Sequence, residues 1–284
     1  MPKIPKSLRS NVPQRSPRQA PRYTPAGSSA PPEMIDLVDP TWILKALGGI
    51  LLFAILCAYL ALCFLYTHGQ WQLVLHPTHT IPTTPASLHL PFTEVHFGVD
   101  STGQPQIDGW FIPSASPTNN TALLLHSGDG SSSDALPAAL TLHDAHLNVL
   151  LFDYRGYGHS LGDHPTQASM RSDAATALAY LTTTRSLPIS SIVVYGAGAG
   201  ASIAVHLCAT DPNLPALLLQ SPDGDFEQRV RNDPRSKIIP VSLLFNQDFP
   251  LAKPLQTLTT PKLILPTPLT TLTAFLSTHL QQTP

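Results

Sequence analysis

Three groups of side chains in this sequence are of types that do chemistry. Ser127, Ser131, Ser132 and Ser133 follow His126 in a glycine-containing loop, so hydroxyls that could act as nucleophiles stand close in sequence to an imidazole. Serines in such loops more often make turns and local hydrogen bonds than bonds to substrate. The histidines His126, His143, His146, His159 and His164 suggest a metal, and His143 and His146 lie one helical turn apart. No cysteine or carboxylate completes a ligand set, because Asp144 projects to another side of a helix, and the cluster reads as surface imidazoles. Of the three cysteines, Cys57 and Cys63 fall in a long apolar run and Cys208 stands apart. Neither a disulfide framework nor a zinc site follows, and Cys208 reads as a buried apolar thiol. The sequence implies no cofactor.

Composition narrows the classes. A formal net charge of -2 with 12% charged residues gives no field that would attract nucleic acid. Among 30 prolines, eight fall within the first 32 residues, beside Lys3, Lys6, Arg9, Arg15, Arg18 and Arg22 and no acidic residue. Such a segment cannot bury enough surface to fold and is expected to be a disordered basic tail.

The chain divides into four expected segments: the tail over 1–42, a transmembrane helix over 43–66, a linker over 67–90 and an α/β domain over 91–284. From Ala46 to Tyr66 there is no charge over 21 residues, and at roughly 1.5 Å per residue a helix there crosses a ~30 Å hydrocarbon core. The run starts too late and is too long for a signal peptide. Seven of the sixteen Lys and Arg residues precede Ala46 and none occurs from Ala46 to Tyr154, so the tail is expected to be cytoplasmic and the domain periplasmic or extracellular. Pro77, Pro82 and Pro85 in a polar stretch suggest an extended connector.

Beyond it, Glu94 to Val99 and Gly109 to Pro113 read as a hairpin. Apolar runs at Ala122 to Leu125, Val149 to Phe152 and Ile192 to Tyr195 then alternate with helical patterns at Leu136 to His143, Ser169 to Thr182 and Gly200 to Ala209. Two further buried strands follow at Ala216 to Leu219 and Lys262 to Leu265. Alternation of this kind predicts an α/β fold, a mostly parallel sheet sandwiched by helices.

The ordered pieces Leu124-Leu125-His126-Ser127-Gly128, Asp153-Tyr154-Arg155-Gly156-Tyr157-Gly158-His159-Ser160 and Tyr195-Gly196-Ala197-Gly198-Ala199-Gly200 resemble the α/β-hydrolase superfamily, particularly its serine-aminopeptidase-like and Bem46-like members. The resemblance covers roughly residues 91 to 266. It implies a sharp strand-turn-helix bend, G-x-S-x-G, that lifts a serine above the sheet. Here the frame reads Gly196-Ala197-Gly198-Ala199-Gly200, so the bend is kept and the nucleophile's position is Gly198. The resemblance also makes Ser127, Gly128, Gly198 and Ala199 the remains of an oxyanion corner, built from backbone amides near a helix start.

The family places an acid after the strand at Lys262 to Leu265 and a histidine one strand later. Only Pro266 and 18 further residues remain, Thr267 to Pro284 hold no Asp or Glu, and Leu269, Leu272, Phe275, Leu276 and Leu280 fit one amphipathic helix carrying His279. The C-terminal part is therefore expected to be truncated relative to the family, without its acid and histidine loops. Asp223 and Asp225 read as loop or cap residues.

Gly196-x-Gly198-x-x-Ala201 also fits the dinucleotide fingerprint, but three strands precede it in the superfamily order and the next strand ends at Gln220 rather than an acid. The expected function is thus a membrane-anchored, catalytically inactive binding or scaffolding protein that holds a small acyl or peptide ligand. The alternatives are a serine hydrolase with another nucleophile, such as Ser202 or Ser127, Ser131, Ser132 and Ser133, and a nucleotide-binding protein. Ser202, one turn into the helix, is expected to face into its packing.

Overall fold

The computed structural model describes residues 40–280. The basic tail falls almost wholly outside the described residues. The chain divides into two units between Leu56 and Cys57.

Helix α1, Pro40–Gly69, runs for 30 residues with no buried side chain. At 1.5 Å per residue it is about 45 Å long. Among the described residues it is the one helix long and apolar enough to cross a membrane, judged by length and composition. Leu52, Phe53 and Leu65 are each more than 60% exposed along it, which suits an apolar surrounding better than water.

The second unit is built on a seven-stranded sheet. Its strands are β2 (Thr93–Val99), β3 (Pro105–Ile112), β4 (Thr121–Leu125), β6 (Asn148–Phe152), β7 (Ile192–Ala197), β8 (Leu217–Gln220) and β9 (Lys262–Leu265), in the spatial order β2-β3-β6-β4-β7-β8-β9. The opening hairpin pairs antiparallel, as does β3 with β6, and the remaining pairs are parallel.

Burial explains why these strands read as continuous apolar runs. All five residues of β4 and of β6 are buried, because both sheet faces are covered. Leu123, Leu125, Leu150, Phe152 and Val194 share one core with helices α3 (Gln167–Ala179) and α4 (Gly200–Thr210). Ala122, Leu124, Val149, Leu151 and Val193 point the other way, onto α2 (Leu136–Asp144) and α8 (Leu269–His279). Each Leu or Val so buried contributes about 1.5–3 kcal/mol, and the period-two alternation fixes the register. On α8, Leu272, Leu276 and the following Leu280 supply the expected apolar face.

Two regions differ from the sequence expectation. Residues 67–90 are pinned to the domain rather than free. A 3-10 turn at Gln70–Leu73 follows α1, Leu75 is 1% exposed within the core, and β1 (His76–Pro77) pairs in parallel with β5 (Asp129–Gly130). An extended, proline-punctuated chain is suited to such edge pairing, and His76 N and Thr78 N donate to Gly128 O and Gly130 O. The second region lies between β8 and β9, where three short helices stand: α5 (Phe226–Asn232), α6 (Val241–Leu244) and α7 (Ala252–Thr257). They are too short to announce themselves by periodicity.

Candidate functional site

Gly198 sits between β7 and α4 at φ +51°, the left-handed region in which a side chain is strained. Its carbonyl accepts from Ala201 N and Asp223 N, and its amide donates to Gln220 O, so the bend is fixed on both sides. Gly200 is required by close approach: a Cβ there would stand 2.3 Å from His126 O and 2.5 Å from Leu125 O. The sequence therefore builds the bend expected of a nucleophile elbow, with helix α4 starting directly after it. At its tip there is no side chain.

The end of β4 faces this tip. Ser127 Cβ lies 2.9 Å from where a Cβ on Gly198 would be. Its hydroxyl is engaged locally, donating to Asp129 O at 3.1 Å. Ser127, Gly128, Gly198 and Ala199 line one cleft of about 220 Å³, with Leu73, Phe226 and Arg229. A second hollow of about 400 Å³ lies on the other side of Ser127 and Gly198, bounded by Ser131, Asp134 and Gln220. A third hollow, about 720 Å³ beside α5, is lined by Asp225, Glu227 and Asp248 and touches none of these residues.

The loop that carries Ser127 is clamped from the β6 side by the DYRGYGHS stretch. Asp153 accepts from Ser132 N at 2.6 Å and Ser132 Oγ at 2.8 Å, and Tyr157 donates to Gly128 O at 2.8 Å. His126 is fully buried between Tyr154 and Tyr157, with Nδ1 2.7 Å from Ser127 O. Burial lowers its pKa, although Asp153 and the Ser127 carbonyl pull the other way. A neutral imidazole with the proton on Nδ1 satisfies that geometry. Arg155 closes the clamp against Asp173 of α3, Nε to Oδ1 at 2.6 Å, with the Arg155 amide on Oδ2 at 2.9 Å. Of the four serines in this stretch, Ser131, Ser132 and Ser133 are buried hydrogen-bonding residues. Sequence reasoning had no means of joining Asp153 to Ser132, 21 residues apart.

Other candidates fall elsewhere. Asp223 lines the smaller cleft but is held by Arg229, Oδ1 to Nη2 at 2.7 Å, which lowers its pKa. Asp225 receives Leu251 N and Ala252 N. His279 packs at a tilt against Phe275 and lines neither cleft at Gly198. Ser202 is fully buried and donates to Pro250 O, as its helical position implied. His143 stands 3.8 Å from Asp144, His164 stacks on Trp71, and His146 and His159 are exposed. Cys208 is 1% exposed, and burial pushes its thiol up to about 12. One pair escaped notice in the sequence. His76 Nδ1 lies 2.7 Å from Asp129 Oδ1 on the rim of the cleft that holds Ser127, a pairing made only by the β1–β5 ladder.

A Pyrococcus furiosus esterase structure superposes with a TM-score of 0.54 over 73% of this chain and 98% of that one, at 16% identity. This is an α/β-hydrolase fold. Among proteins similar in sequence to this hydrolase fold are an uncharacterised Mycobacterium tuberculosis protein, 36% identical over 118 residues, and the Schizosaccharomyces pombe protein bem46, 35% identical over 113 residues. The matches cover 41% and 39% of this chain and span about two-fifths of the length of either relative, 41% and 38%. No protein-family model matches the chain.

Proposed function

We propose that the chain is a membrane-anchored binding protein that uses a hydrolase frame without hydrolytic turnover. Helix α1 is the anchor, the basic tail lies in the cytoplasm and the α/β domain lies outside, an orientation supported by the Lys and Arg bias of the sequence. The ligand is a small acyl or peptide group whose carbonyl or carboxylate oxygen meets the Ala199 amide at the start of α4, beside the bend at Gly198 and with Ser127 and Gly128 opposite. One observation carries this reading: the elbow keeps its geometry at Gly198, while the place of the nucleophile's side chain is approached by Ser127 Cβ. Binding without reaction needs the oxygen-accepting corner and not the attacking group.

A second reading has its own observation. Ser127 and the His76–Asp129 pair line the same cleft, and a carboxylate bound to one imidazole nitrogen leaves the other to act as a base. In that reading Ser127 is the nucleophile. Treating the full chain in detergent with a serine-directed phosphonate, alongside short p-nitrophenyl esters, separates the two. No adduct and no turnover support the binding reading. An adduct on Ser127, lost in Ser127→Ala together with turnover, sinks it in favour of the second.

A further inference from the structure

We infer that residues 237–245, the apolar stretch around α6, form a second membrane contact that lies in the bilayer interface beside α1. The inference rests on the reading of α1 as a membrane span.

Position comes first. The Tyr59 hydroxyl donates to Ile238 O at 3.3 Å. Tyr59 precedes the end of α1 at Gly69 by ten residues, about 15 Å along the helix axis. A backbone carbonyl that meets this side chain stands on the membrane side of the helix end. Tyrosine is suited to that depth, having an apolar ring and one polar tip that needs a partner.

A second clamp holds the other end of the stretch. Gln70 is 2% exposed, and its amide group donates from Nε2 to Leu244 O at 3.1 Å and accepts at Oε1 from Asn246 N at 2.8 Å. The stretch is thus tied to α1 and to the turn after it by polar groups, and Val241 is buried beneath it, while Ile238 and Leu243 face outward. Ile238 is 69% exposed and Leu243 is 80% exposed. In water, two large aliphatic side chains turned outward on one short stretch leave their apolar surface uncovered; against lipid they bury it.

The backbone is prepared for an apolar medium as well. Ile239, Val241, Leu243, Leu244 and Phe245 amides all donate within the stretch or to its near neighbour Ser236. Unpaired amides would make entry into lipid costly, and these five are paired. Lys237 is exposed at the start of the stretch, where an ammonium group can meet a lipid phosphate. The occupant is therefore a bilayer surface carrying anionic headgroups. The placement would also set the cleft lined by Leu73, Phe226 and Ser127 close to the membrane.

The test uses the full chain with Cys57→Ser and Cys63→Ser, reconstituted in vesicles of phosphatidylcholine and phosphatidylglycerol. Single fluorophores are attached at Ile238→Cys, Leu243→Cys, Leu52→Cys in α1 and Asp144→Cys at the end of α2. Lipids bearing a nitroxide on the acyl chain are then added as quencher. We expect roughly a twofold or greater loss of fluorescence at positions 238, 243 and 52, and none at 144. Quenching at 52 with none at 238 and 243 overturns the second contact and leaves the anchor standing. No quenching at any of the three positions overturns both.

Discussion

Ser127 Cβ stands 2.9 Å from the point at which a side chain on Gly198 would begin, closer than unbonded carbons come to rest. The two positions compete for one volume. A larger residue at either one is felt by the other, and the empty tip of the elbow is linked to the identity of the β4 loop.

Gly198→Ser therefore does not simply restore a nucleophile. The serine would take φ near +51° and meet Ser127, so we expect a loss of about 2 kcal/mol in urea unfolding of the full chain in micelles. Adding Ser127→Gly should recover part of it, and a double-mutant cycle reads the coupling. Ester turnover should stay absent in both variants. Turnover in Gly198→Ser would mean that a working base already faces the bend, against the binding reading.

The buried His126 sets an acid limb on stability. Its folded pKa lies below the ordinary 6.5, so the unfolded chain takes up a proton first. The stabilisation is full above about pH 6.5 and is lost as pH falls from there through the lowered folded value. His126→Gln should flatten this limb while lowering stability at pH 8, where the contacts with Tyr154 and Tyr157 are lost. Melting temperatures across pH 5 to 8 provide the check, and an unchanged slope in the variant would remove His126 as the cause.

Arg155 should matter through Asp173. The carboxylate is 1% exposed, and burial raises its pKa even with the guanidinium beside it. Arg155→Met leaves that group buried without its charge partner, for which we expect about 3 kcal/mol of destabilisation. Asp173→Asn made alongside should remove much of the penalty, because no buried carboxylate is then left unpaired. If Arg155→Met unfolds at the wild-type urea concentration, the pair does not hold the clamp.

Cys208 offers a probe of integrity. With its thiol raised to about 12 and buried, it should resist iodoacetamide at pH 8 in the native protein and react after unfolding. Mass spectrometry of the tryptic peptide reports this, and rapid native modification would reveal opening of α4.

The sheet was readable in the sequence because each strand is a short apolar run covered on both faces, and α3 and α4 carried helical spacing between them. The elbow was readable because Gly196 and Gly200 mark close approaches that no other residue tolerates. The clamp behind Ser127 was not, since Asp153, Ser132 and Tyr157 meet only when β6 and β4 lie side by side. The His76–Asp129 pair was hidden for the same reason, and proline-rich composition concealed that residues 67–90 join the fold. The short helices α5, α6 and α7 are placed by contacts such as Gln70 with Leu244 rather than by their own periodicity.

The pairing of β1 with β5 has a mechanical consequence. Tension arriving through Gly69 meets the Gln70 contacts and the buried Leu75 and then the His76 and Thr78 amides, which grip Gly128 and Gly130. Gly128 belongs to the cleft on which Ser127 sits, so a pull on the N-terminal helix that passes the Gln70 contacts with Leu244 and Asn246 is borne next by the wall of the cleft. A bound ligand that braces this wall would therefore stiffen the tether.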